Sequence, residues 1–126
     1  MRAVDTNVVV RLITRDDARQ LAAAEAYVAK GAWISLVVLV EVTWVLESVY
    51  ELAPERIADA VEMMLRHGQL TVEDPATASQ AVELFRGRPA LGFSDCLVLS
   101  TAKRAGHTPL GTFDRELSKC SGAERV

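Results

Sequence analysis

Residues 3–10 read AVDTNVVV. Apolar residues on both sides enclose Asp5, Thr6 and Asn7. A strand buried on both faces has no use for a carboxylate. The spacing therefore ends a short strand at Ala3–Val4, places Asp5 at its carboxyl end, and starts a helix over Val8–Ile13. Outward from this stretch, short strands alternate with helices. Strands are expected at Ala32–Ile34, Leu70–Val72, Pro109–Leu110 and in the terminal AERV, residues 123–126. Thr14 with Asp17 resembles a capping box that opens a helix ended by Gly31. Leu39, Val42, Val45, Leu46 and Val49 fall at helical spacing. Pro54 opens a helix closed by Gly68, and Asp74–Pro75 opens another that runs to about Phe85. Ser94 is expected to cap a helix through Ala105, with Gly106 just past its end. This order specifies an α/β fold with a short, mostly parallel central sheet and right-handed crossovers.

Length and composition set the outer limits. The chain has 126 residues, enough for one domain spanning 1–126 with a core that needs no staples. Its 50% hydrophobic and 25% charged residues are ordinary for a globular protein, and its net charge of −3 gives no bulk positive field. Cys96 and Cys120 form neither a CxxC pair nor a zinc pattern, so they are expected as reduced thiols. His67 and His107 are isolated and make no ligand set. An acid follows the first apolar residues at once, which does not fit a signal peptide. The longest apolar stretch, Trp33–Leu46, is broken by Glu41 and is shorter than the ~18 residues of a membrane span. A soluble, cytoplasmic protein with no membrane contact is expected.

Four acids stand out by position. Asp5 and Asp114 follow strands, and Asp95 and Glu41 lie near helix starts. Ligands of open parallel sheets bind outside the carboxyl ends of the strands, so loops would bring all four to one rim. Other roles are open to each. Asp95 would answer a helix macrodipole, Glu41 would form a salt bridge inside its apolar helix, and Asp114 would cap a short helix. Asp16, Asp17, Asp59, Glu62, Glu73 and Asp74 read as caps or solvated faces.

VDTN after the first strand, Glu41 within an apolar helix, FSDCLVLSTAKRAG (93–106) and LGTFDREL (110–117) together resemble the PIN-domain nucleases. The likeness is nearest to the VapC-type toxins of toxin–antitoxin pairs and covers nearly the whole chain. It implies a three-layer α/β/α sandwich and a Mg²⁺- or Mn²⁺-dependent endoribonuclease whose products carry 5′-phosphate and 3′-hydroxyl ends. By motif position it makes Asp5, Glu41, Asp95 and Asp114 the metal-binding and catalytic acids. Asp5, Asp95 and Asp114 would hold metal, and Glu41 would hold a second ion or a metal-bound water. Thr112 would hydrogen-bond a carboxylate or water, Asn7 would orient Asp5, and Thr6 would lie against substrate. The partners implied are RNA, a small cognate antitoxin and a second copy of the chain. Val37, Leu39, Trp44 and Leu52 offer apolar surface for the homodimer.

Hard cations with oxygen ligands suit phosphodiester hydrolysis, which needs a deprotonated water and charge neutralisation at phosphate. Setting the four acids aside leaves 13 acidic residues against 14 basic ones, so the remaining surface is near neutral. Arg86 and Arg88, expected in the loop before Asp95, are placed to meet RNA phosphates, with Arg11, Lys103 and Arg104 as weaker candidates. No aromatic-rich stacking platform is evident. Two other classes remain. A Mg²⁺-dependent phosphatase or phospho-acceptor would also place an Asp after its first strand, but Asn7 stands where the phosphatase pattern wants a second Asp. A catalytically inactive binding module would not need the intact acids.

Overall fold

The computed structural model describes residues 1–126, in two compact units, Met1–Pro75 and Ala76–Val126. In the first, β1 (Arg2–Ala3), β2 (Ala32–Ile34) and β3 (Leu70–Val72) form a parallel sheet in that order. The register pairs Ala3 with Trp33 and Ile34 with Val72. Helices α1 (Thr6–Thr14), α2 (Ala18–Val28), α3 (Leu36–Ser48) and α4 (Pro54–Arg66) supply the connections. Ala32 and Ile34 are fully buried. They share the core with Val9 and Val10 of α1, Leu39, Val42 and Leu46 of α3, and Val61 and Met64 of α4.

In the second unit, α5 (Pro75–Gly87) leads through a 3₁₀ turn at Pro89–Leu91 to α6 (Phe93–Ala105). Then follow β4 (Leu110–Thr112), α7 (Arg115–Ser118) and β5 (Ala123–Arg125), with β4 and β5 paired in parallel. Phe85 and Phe93 meet edge to face, their centroids 6.0 Å apart, and tie α5 to α6. The fold is thus α/β with short parallel strands, as expected. The strands pair as a three-stranded parallel ladder in the first unit and a two-stranded parallel ladder in the second. No helix is long and apolar enough to cross a membrane.

Two helix starts differ from the sequence reading. Thr14 ends α1 rather than opening α2, and Asp17 is the N-cap, its side chain accepting from the Gln20 N–H at 3.0 Å. Ser94 lies inside the first turn of α6, whose N-cap is Gly92 at φ +81°. That backbone is open to glycine and costly for other residues.

The turn between α1 and α2 carries its own strain. Arg15 is left-handed at φ +55°, which is uncommon for a residue with a Cβ. Asp16 holds this turn. It accepts from the Thr14 hydroxyl at 2.8 Å, the Tyr50 hydroxyl at 3.0 Å and the Arg11 guanidinium at 3.0 Å. These partners keep its carboxyl below the usual carboxylate range, the Thr14 hydrogen bond contributing most. A lowered folded-state value means stability that is present above the unfolded value and lost as pH falls through the folded one. Asp16→Asn should therefore melt below wild type at pH 7. The difference should shrink as pH drops below the ordinary aspartate range, in melts monitored by circular dichroism.

Candidate active site

Each of the four expected acids has a defined local setting. Asp5 follows β1 and is the N-cap of α1, one carboxylate oxygen accepting from the Val8 N–H at 3.3 Å. The next residue, Thr6, donates its hydroxyl to Glu41 Oε1 at 3.1 Å. Thr6 thus links the start of α1 to the middle of α3, and Asp5 stands beside that link. Glu41 is exposed. The apolar run around it misled the sequence reading, because Leu39, Val42 and Leu46 turn inward while Val37, Glu41 and Trp44 share the outer face. Glu41 therefore bears no burial penalty and needs no ion pair.

Asp114 repeats the arrangement of Asp5 in the second unit. It follows β4 and caps α7, one oxygen accepting from the Glu116 N–H at 3.1 Å. The Thr112 hydroxyl oxygen accepts from the Asp114 N–H at 3.0 Å, so Thr112 fixes the backbone of Asp114 rather than its carboxylate. Asp95, half-buried in the first turn of α6, has its carboxyl pushed up, chiefly by burial and then by the negative charge of Asp114. These two carboxylates therefore feel one another.

The remaining expected residues divide. Asn7 is exposed and makes no hydrogen bond to Asp5, whose carboxylate is held instead by the Val8 N–H. Arg86 lies in the last turn of α5, not in a loop. Arg88 stands between α5 and the 3₁₀ turn, its Nη1 donating to Cys120 Sγ at 3.1 Å. Arg11 is engaged with Asp16 and Tyr50. Cys96 and Cys120 are free and buried. Burial pushes the Cys96 thiol up to about 12, with help from Cys120 and Asp95, so it is no nucleophile at neutral pH. Two exposed aromatics stand next to the acids in the chain, and the sequence reading passed over one of them, Phe113. Trp44, one turn from Glu41, is 65% exposed, and Phe113, beside Asp114, is 78% exposed.

No group of three or more His, Cys, Asp or Glu side chains is placed to hold a metal ion. The acids fit a smaller demand. Magnesium binds through one or two carboxylates and otherwise keeps water or takes phosphate oxygens. Asp95 and Asp114, whose mutual repulsion a cation relieves, suit that role. The helix caps occupy one oxygen each of Asp5 and Asp114 and leave the other available.

The family model of the PIN domain matches residues 2–122. The chain belongs to the PIN domain family. No curated protein and no solved structure matches it. PIN domains are usually metal-dependent nucleases, so membership places this protein with the nucleases in general. A cavity of about 910 Å³ in the first unit, lined by Leu12, Asp16, Tyr50, Met63 and His67 among others, includes none of the four acids of this PIN domain.

The two acids of the second unit should differ in stability tests. Asp95→Asn removes a charge that burial and Asp114 disfavour, so at pH 7 in chelator it should melt no lower than wild type. Asp114→Ala deletes the α7 cap and should cost about 1 kcal/mol. Denaturant titrations of both variants decide the matter; a clear loss for Asp95→Asn would mark Asp95 as structural.

Proposed function

We propose that this PIN domain is a Mg²⁺- or Mn²⁺-dependent endoribonuclease, the VapC-type toxin of a toxin–antitoxin pair, acting in the cytoplasm as a single domain over 1–126. The observation that carries the reading is the Asp95–Asp114 pair, in which Asp95 is pushed toward protonation by burial and by its neighbour. Two carboxylates gain nothing from such proximity in the protein alone, and a divalent cation gives it a purpose. Asp95 and Asp114 would hold that ion, with Asp5 and Glu41 as the further acids of the site. The ion supplies charge neutralisation at phosphate and lowers the pKa of water.

The chain's own groups position these acids. The α1 and α7 first turns hold Asp5 and Asp114 by one oxygen each. The Thr6 hydroxyl orients Glu41, and Thr112 sets the backbone of Asp114. Asn7, exposed in the first turn of α1, is left to meet substrate or solvent. Arg86 and Arg88 would meet RNA phosphates. A small antitoxin would silence the enzyme by covering these acids. A homodimer would bury the outer face of α3, where Val37 is 69% and Trp44 65% exposed. Leu52 is half-buried, and Leu39 is fully buried and is core, not interface.

Purified protein should cleave RNA with Mg²⁺ or Mn²⁺ and stop with chelator. Asp95→Asn should lose at least the ~100-fold that removing a group merely supporting a metal ligand can cost. Failure across a broad RNA panel, with no metal binding by calorimetry, would refute the enzyme. Light scattering should report a dimer at micromolar concentration, and Trp44→Glu should make it monomeric.

A further inference from the structure

Charge is divided unevenly along the chain. Residues 76–126 carry seven Lys and Arg against five Asp and Glu, a net +2 in a protein whose total is −3. Two of those five acids, Asp95 and Asp114, belong to the proposed site. Such asymmetry between halves is a signature of contact with a polyanion.

Three of the seven cations meet at one place. Arg88, Lys103 and Arg104 line an open cavity of about 710 Å³ together with Gln80, Ser100 and the single acid Glu83. Arg88 and Lys103 each pass close to a neighbouring segment. Arg88 Nη1 donates to Cys120 Sγ at 3.1 Å, which leaves the rest of its guanidinium for other acceptors. The Lys103 stem crosses Gly122 so closely that a Cβ there would stand 2.6 Å from Lys103 Cε. Gly122 also has φ +89°, a backbone conformation that glycine adopts without strain. Arg88, held by its contact with Cys120, loses less entropy on meeting an anion than a free side chain would.

Helix dipoles do not account for this convergence. Arg88 lies past the end of α5, and Lys103 and Arg104 stand in the last turn of α6. The macrodipole favours a cation at the C-terminal end of each of these helices separately. It gives no reason for the cations of two helices to line one cavity with a single acid. A chain of phosphates does, because it offers several anions to several separate cations.

We propose that this cavity holds the phosphate backbone of the RNA, with Arg88 and Lys103 as its positioned contacts. The inference rests on the ribonuclease reading and extends the RNA footprint to α6. Gln80 adds amide donors that suit phosphate oxygens.

The test measures binding of a labelled single-stranded RNA oligonucleotide by fluorescence anisotropy, in chelator, across a KCl series. Lys103→Met keeps a stem over Gly122 and removes the charge. It should weaken binding at low salt and make the slope of log affinity against log salt shallower by about 0.7, the value for one phosphate of a single strand. Arg88→Gln should do the same, and the double variant about twice as much. Should Arg88→Gln unfold through loss of its Cys120 contact, Lys103→Met carries the test alone. Lys119→Met removes a charge outside the cavity, on an exposed residue paired with Glu116, and should leave the slope unchanged. An unchanged slope and affinity in Lys103→Met overturns the proposal. So does an equal loss in Lys119→Met, or a loss seen only against inorganic phosphate or polyglutamate. Because no cleavage is needed, the two readings fail separately. A changed slope without metal-dependent cleavage supports the cavity and sinks the nuclease, and cleavage with an unchanged slope does the reverse.

Discussion

Asp5 and Asp114 each commit one carboxylate oxygen to the first turn of a helix that follows a short strand. The same local unit occurs in both halves of the chain: strand, acid, helix. The cap satisfies backbone N–H groups that would otherwise lack a partner. It also holds each carboxylate rigidly at the carboxyl end of its strand, where α/β folds place ligands. In the proposed site, a capping interaction would serve stability and geometry together. An acid lost from either position would remove both.

Hydroxyl groups complete this scheme. Thr6 reaches across 35 residues of sequence to Glu41. Thr112 closes a local turn onto Asp114. Neither threonine needs to touch a reacting atom to matter, since each decides where an acid stands. Asp95 differs from the other acids in having neither device. It is held in the first turn of α6, half-buried, and its charge is opposed by burial and by Asp114.

Most of the element order was legible in the chain itself. Hydrophobic periodicity marked the helices, and the Ala32–Ile34 and Leu70–Val72 strands appear where alternation with helices required them. Pro54 and Pro75 open α4 and α5 because proline's fixed φ suits a first helical turn. Caps were less legible. TRDD holds two candidate N-caps, and the choice of Asp17 over Thr14 follows from the turn that Asp16 ties to Arg11 and Tyr50. Tyr50 lies 34 residues from Asp16, beyond the reach of any local rule.

The sequence alone placed Asp5 just past a short first strand, although that strand, Arg2–Ala3, lies exposed at the sheet edge and is not the doubly buried strand the reading assumed. It also carried the motifs that the PIN family shares over residues 2–122. Tertiary structure alone decided which side of α3 faces water. Its apolar residues nearly encircle the helix, so periodicity could not separate core Leu39 from exposed Trp44. Packing made that choice, and it turned Glu41 outward to Thr6. Packing likewise set Arg88 and Lys103 along one cavity. They are 15 residues apart and belong to different elements, so their nearness depends on how α5 and α6 pack rather than on any spacing in the chain.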